Sequence, residues 1–336
     1  MKVGIITQPL IGNYGGVLQL FALQHVLNGM MISSQLIDFI PKGQSKCRYI
    51  ASCLKTFFLA FSSKTRRPFC KRILNNRASW LDIFLDKYIC KTEIIECYTV
   101  DILKKYNFDT IIVGSDQVWR PKLNKSIKDM FLNFCEKEEN LKRIAYAASF
   151  GVGDWEYSPK QTRECSKLAK KYDAISVREQ SGVKLCKEYL GVDATWVLDP
   201  TLLLTKEDYL PICKEIPVCN EKYLAVYVLD ENDEVTATYE KEAAAHGLVI
   251  KKFHADSKST LTVPEWLAMF RDASYVVTDS FHGTVFSIIF GKEFKSIYNK
   301  GRGTARFESL MNLYNSGKLE EMREFSLNWL EMVLES

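Results

Sequence analysis

No stretch of this chain is apolar over the roughly 18 residues that a membrane-crossing helix requires, so a transmembrane anchor is not expected. Met1-Lys-Val-Gly-Ile-Ile-Thr-Gln8 is too short for a secretory signal and reads as a first buried strand, which points to the cytoplasm. Cys-x-x-Cys is also missing. The closest pairs of the 10 cysteines, such as Cys47/Cys53 and Cys213/Cys219, are separated too widely and lack histidines at ligand spacing. A zinc knuckle or disulfide framework is thereby disfavoured against reduced, buried thiols, and no metal or organic cofactor is expected. Gly-x-Gly-x-x-Gly is absent, so dinucleotide binding is not inferred.

Acidic residues are absent between Lys42 and Leu81, whereas Lys42, Lys46, Arg48, Lys55, Lys64, Arg66, Arg67, Lys71, Arg72 and Arg77 all lie there. The net charge of +4 therefore leaves 4 − 10 = −6 for the remainder. Ile50, Leu54, Phe57, Phe58, Leu59 and Phe61 interleave with these cations. That mixture suits an interfacial helix on anionic lipid, a peripheral membrane contact through residues 42-81. It equally suits an inserted helical pair that packs its apolar stripe and leaves its charges solvated. No nucleic-acid module accompanies the charge, so nucleic acid is not expected as a partner.

The chain has 336 residues, 47% hydrophobic and 26% charged, which is ordinary for a globular protein and long enough for two cores. Short β-rich runs alternate with helical patterns from end to end. Strands are expected at Val3–Thr7, Gln35–Phe39, Thr110–Val113, Arg143–Ala148, Ala174–Val177 and Thr195–Leu198. A second series follows at Tyr223–Val228, Leu248–Lys252, Tyr275–Thr278 and Phe294–Ile297. Helices are expected at Gly16–Leu27, Pro159–Lys171, Ser181–Tyr189, Asn232–His246 and Val263–Asp272. Such alternation predicts an α/β fold of doubly wound parallel sheets. Pro200, Pro211 and Pro217 interrupt the pattern between Asp199 and Glu221. Two Rossmann-like domains facing a cleft follow: 1-205, with a basic helical insertion at about 42-98, and 215-336, whose C-terminal helices, ending with Leu319–Leu334, pack back across.

Polar clusters stand at the strand ends, where open α/β sheets place their ligands. The most informative is Thr278-Asp-Ser-Phe-His-Gly283, between an apolar strand and an apolar helix. A helix beginning at Gly283 aims free N–H groups at whatever lies beside His282, favouring an anion next to a side chain that exchanges protons near neutrality. A histidine that merely caps its helix is the plain alternative. After the first strand come Asn13, Tyr14, Gly15 and Gly16, the glycines allowing close backbone approach. After the third come Ser115, Asp116, Gln117 and Trp119: a hydroxyl, carboxylate and amide to hydrogen-bond a sugar, and an indole to stack on one. Arg178 precedes a helix, where its planar fork suits a carboxylate or phosphate, or else a surface ion pair. Asp199 reads as a turn or cap residue. Lys300, Arg302 and Arg306 form a candidate anion clamp, or a solvated loop.

Asn13-Tyr-Gly-Gly with Gln19, Gly114-Ser-Asp-Gln-Val-Trp119, Ser176-Val-Arg-Glu179, Asp199-Pro-Thr201, Thr278-Asp-Ser-Phe-His-Gly283 and Arg306-Phe307, in this order, resemble the polysaccharide pyruvyl transferase family. The likeness runs from about Val3 to Leu313 and leaves out the basic stretch. It implies a glycosyltransferase-B-like fold and transfer of pyruvate from phosphoenolpyruvate onto a sugar of a surface glycan precursor, forming a cyclic ketal. The acceptor implied is a sugar, on a lipid-linked oligosaccharide where the glycan is assembled at the inner membrane face. Arg178 and His282 match positions tied to activity in the family. Ser280 stands where the characterised branch often has Arg, so an anion contact is absent there or supplied by Lys300, Arg302 or Arg306. A nucleotide-sugar glycosyltransferase of the same fold and a catalytically silent glycan-binding relative are the competing readings.

Overall fold

The computed structural model describes residues 1–41, 77–254, 261–298 and 303–336. The fold follows the alternation of the sequence, and the strands differ in burial with their place. Those apolar on both faces, such as Thr110–Val113 and Tyr223–Tyr227, are buried throughout, while Ser33–Leu36 and Glu293–Ser296 at sheet edges are partly exposed. In the first half the strands are β1 (Lys2–Ile6), β2 (Ser33–Leu36), β3 (Thr110–Val113), β4 (Lys142–Ala148), β5 (Ala174–Val177) and β6 (Thr195–Trp196). They form a six-stranded sheet in the order β2-β1-β3-β4-β5-β6, every pairing parallel. In the second half β7 (Tyr223–Tyr227), β8 (Val249–Phe253), β9 (Tyr275–Thr278) and β10 (Glu293–Ser296) form a four-stranded parallel sheet, order β10-β9-β7-β8.

The helices between them are α1 (Tyr14–Gly29), α2 (Ser79–Tyr88), α3 (Asp101–Tyr106), α4 (Pro159–Ala169), α5 (Gln180–Leu185) and α6 (Lys206–Tyr209). In the second half they are α7 (Asp233–His246), α8 (Val263–Asp272), α9 (Phe281–Ile289), α10 (Ala305–Asn315) and α11 (Leu319–Glu335). Sequence chemistry sets several boundaries. Ser158 and Thr262 cap α4 and α8 through reciprocal bonds with Gln161 and Glu265, and Gly247 ends α7 in the left-handed conformation. The helix expected to reach Tyr189 gives way to a π-turn at Cys186–Leu190.

Chain reversal fixes where a ligand can sit. In the first sheet the connections leave in opposite directions from β1 and β3, and in the second from β7 and β9. A crevice therefore opens beyond the carboxyl ends of each pair. The two crevices face each other. One apolar core, including Ile5, Val17, Ala225, Trp266 and Val276, runs through both halves.

The final helix returns to the first sheet. Ser326 Oγ accepts from Leu198 N–H (2.9 Å), Arg323 Nε donates to Leu202 C=O (2.7 Å), and Trp329 packs beside Tyr146. Most of the basic stretch, residues 42–76, lies outside the described residues. Its last cation is described: Arg77 is buried and donates to both carboxylate oxygens of Asp38 and to the Leu10 carbonyl. Arg77 is thus a structural ion pair and does not face lipid. No helix among the described residues is long and apolar enough to cross a membrane.

Candidate active site

A cleft of about 860 Å³ lies between the opposed crevices. From the first half Gln8, Asn13, Gly15, Asp116, Gln117, Arg120 and Lys122 line it. From the second come Leu229, His254, Asp279, Ser280, Phe281, His282 and Arg306.

His282 sits two positions later in its element than the sequence suggested, because α9 begins at Phe281 and not at Gly283. Ser280 is the cap. Its Oγ accepts from Gly283 N–H (3.3 Å), so the first-turn amides of Phe281 and His282 remain directed at the cleft end of the helix. Gly283 is small for packing reasons: a Cβ there would fall 2.2 Å from Thr278 Oγ1. The imidazole of His282 rests on the other half of the molecule. A Cβ on Gly15 would lie 2.0 Å from its Nδ1, so only glycine admits the ring. On its other side Nε2 is 3.8 Å from Asp199 Oδ2.

Asp199 is the organising residue that sequence reasoning treated as a turn. It does cap the turn, accepting from Thr201 N–H (3.1 Å). Its second oxygen also receives Arg178 Nη1 (2.7 Å) and Gln19 Nε2. Arg178 Nη2 reaches Asp116 Oδ1 at 3.0 Å. Burial works against ionising both acids. For Asp199 the neighbouring His282 imidazole and the Arg178 charge outweigh it and hold the carboxyl far below the usual range. For Asp116 the charges of Arg178, His282 and Arg306 do the same to a smaller degree.

This arrangement corrects the expectation for Arg178. Its side chain is wholly enclosed beside the Phe281 ring, and two of its nitrogens are engaged by carboxylates, so it does not present its fork to the cleft. Arg306 does line the cleft, with its guanidinium 5.4 Å from the centroid of the same ring. Burial first, and Arg178 second, lower its pKa to about 10. A cation held where a second cation opposes it is favourable ground for an anion. Lys300 and Arg302 lie outside the described residues.

The sugar-facing candidates divide. Asn13, Asp116 and Gln117 line the cleft, whereas Tyr14, Ser115 and Trp119 do not. Trp119 is fully buried, donates from Nε1 to Met130 C=O (3.0 Å) and stacks on Phe131, so it is a core residue. Tyr14 is fully buried between Trp80 and Trp266. Ser115 Oγ donates to Ala147 C=O (3.0 Å) beneath the floor. Gly16 is buried against Asn13, off the cleft. The structure adds Arg120 and Lys122, which share the single carboxylate of Glu156 on the rim. The only sequence signal for them was position, just past the β3 motif. Among the described residues no His/Cys/Asp/Glu group could hold a metal ion.

The architecture is that of the glycosyltransferase-B-like fold. The UDP-GlcNAc 2-epimerase from Neisseria meningitidis bound to UDP-GlcNAc is 11% identical, with 99% of each chain covered and a TM-score of 0.52. A putative UDP-N-acetylglucosamine 2-epimerase from Listeria monocytogenes is 13% identical over 100% of this chain and 96% of that one, also with a TM-score of 0.52. At such identities the likeness is one of fold. No curated protein matches the chain in sequence. The pattern of the family described as Polysaccharide pyruvyl transferase matches residues 13–301, from the residue ahead of α1 to just past β10. Spanning both walls of the cleft, that match shows that the chain belongs to the polysaccharide pyruvyl transferase family.

Proposed function

We propose that this cleft transfers pyruvate from phosphoenolpyruvate to two hydroxyls of a sugar, closing a ketal on a glycan precursor. The observation that carries the reading is the seating of His282. Its ring is fixed between Gly15 and Asp199, at the N-terminus of α9 and on the same cleft as Arg306.

Phosphoenolpyruvate carries a carboxylate and a phosphate, and Arg306 with the first-turn amides of α9 supplies cationic and N–H partners for them. His282 protonates the methylene carbon, making it a methyl group and its neighbour an oxocarbenium-like centre. A sugar hydroxyl adds to that carbon and returns its proton to His282. The bond to the bridging phosphate oxygen breaks, phosphate leaves with the proton of the second hydroxyl, and that hydroxyl closes the ring. General acid–base help of this kind contributes about 10²–10⁴-fold. Arg178 acts at one remove, by holding Asp199 beside His282, and Asn13, Asp116 and Gln117 face the acceptor.

Calorimetry with phosphoenolpyruvate, with UDP alongside, tests the donor. Saturable binding of phosphoenolpyruvate that Arg306→Ala weakens at least tenfold is expected. Binding of UDP alone overturns the reading in favour of a nucleotide-sugar donor. An acceptor in which pyruvyl transfer survives His282→Gln within a few fold removes the acid/base assignment.

A further inference from the structure

The donor side of the proposed reaction depends on two residues from opposite halves: His282 from α9 and Gly15 from α1. The contact between them is too close to tolerate a methyl group, so a small shift of one half against the other would unseat the ring. The halves share one apolar core, so their register is set by how side chains interlock across it. Something must hold this pair in register.

The residue adjacent to Gly15 is placed to do so. Tyr14 is fully buried, with its ring between two indoles. The Trp80 ring of α2 lies 4.1 Å away at 13°, and the Trp266 ring of α8 lies 5.3 Å away at 12°. Its hydroxyl donates to the Leu261 carbonyl at 2.5 Å, just ahead of α8. Trp266 in turn packs edge-on against Phe286 of α9, one turn beyond His282. One side chain thus joins α1 and α2 of the first half to α8 of the second, and through Trp266 it touches the helix that presents the histidine.

We infer that Tyr14 is a positioning residue, an aromatic key between the halves that keeps Gly15 beneath His282. It touches no substrate. Its effect is on where the imidazole stands, so its loss changes turnover more than binding. The catalytic consequence rests on the proposed function, whereas the positional one does not.

The experiment separates them. The Cε1–H resonance of His282, assigned by its disappearance in His282→Gln, is compared in wild type, Tyr14→Ala and Tyr14→Phe. In parallel, kcat and KM for pyruvyl transfer are measured. Tyr14→Ala is expected to move the resonance and lower kcat about 100-fold, the scale of a 1 Å misplacement, with KM changed less than threefold. Tyr14→Phe keeps the stack and is expected to restore most of both. Should Tyr14→Ala not fold, Tyr14→Leu, which keeps apolar bulk but not the stack, serves in its place. An unchanged resonance in a folded variant overturns the inference. So does a loss confined to KM, which would place Tyr14 in ligand binding. If the resonance moves while wild type transfers no pyruvate, the key stands and the proposed donor falls.

Discussion

Gly15 carries no functional group, yet it decides whether the histidine has a place to sit. Gly15→Ala puts a methyl 2.0 Å from Nδ1 of His282, and one of the two must retreat. Overpacking of this kind costs about 1–3 kcal/mol of stability. The expected outcome is a drop in kcat of about 100-fold, larger than the modest fall in melting temperature would suggest. Turnover within a few fold of wild type would show that the seat is not needed. Arg178 is the second residue whose removal is informative. Arg178→Gln leaves Asp116 and Asp199 buried without their cation, and breaking a buried pair costs about 3–5 kcal/mol. Denaturant unfolding reads this directly, and a loss below about 1 kcal/mol would mean that the carboxylates find other partners.

At the scale of elements, α11 is what braces the site from behind. Ser326, fully buried, accepts from the N–H of Leu198, the residue before Asp199. Ser326→Ala orphans that buried donor, at about 1–3 kcal/mol. It also loosens the strand end that presents Asp199, so kcat is expected to fall while affinity for the proposed donor, assigned above to α9 and α10, holds. Equal losses in both would place the effect in global stability. The element boundaries themselves were largely written in the sequence. β3, β5, β9 and α8 fall at the expected residues, and the remaining strands lie within a few positions of theirs. The early start of α9 was less legible, because the helix was expected to open at Gly283, whereas the Ser280 oxygen caps it two residues earlier.

For the whole molecule, the buried charge cluster sets the acid limit. Asp199 and Asp116 have folded-state pKa values below the ordinary carboxylate value of about 3.9, so the unfolded chain takes up protons first as pH falls. Their stabilisation is complete above about pH 4 and is lost as pH drops through the folded values. Wild type should therefore hold its melting temperature from neutrality to about pH 4 as far as these groups govern it. The gap to Arg178→Gln should narrow below that, where the carboxylates no longer need a cation. Melting curves at neutral pH and near pH 3 check it, and a gap that widens on acidification would contradict the pairing. One apolar core through both halves also means that the cleft is largely formed before ligand arrives.

The sequence by itself determined the alternation of strands and helices, and with it two parallel sheets whose carboxyl ends meet at a crevice. Apolar periodicity and turn chemistry are local, and they are legible one segment at a time. It also placed His282, Gly15, Asp116 and Arg306 in motifs at those ends. Direction was decided only in three dimensions. Tyr14 and Trp119 stand in polar motifs, yet both rings turn into apolar layers, because planar surface that large is more stable buried than beside water. Arg178 was legible as a cation near an anion site, but its partners, Asp116 and Asp199, are 62 and 21 positions away in the chain. Which charges neutralise each other depends on distances that no linear spacing encodes. That is why Asp199 read as a turn and proved to stand beside the histidine.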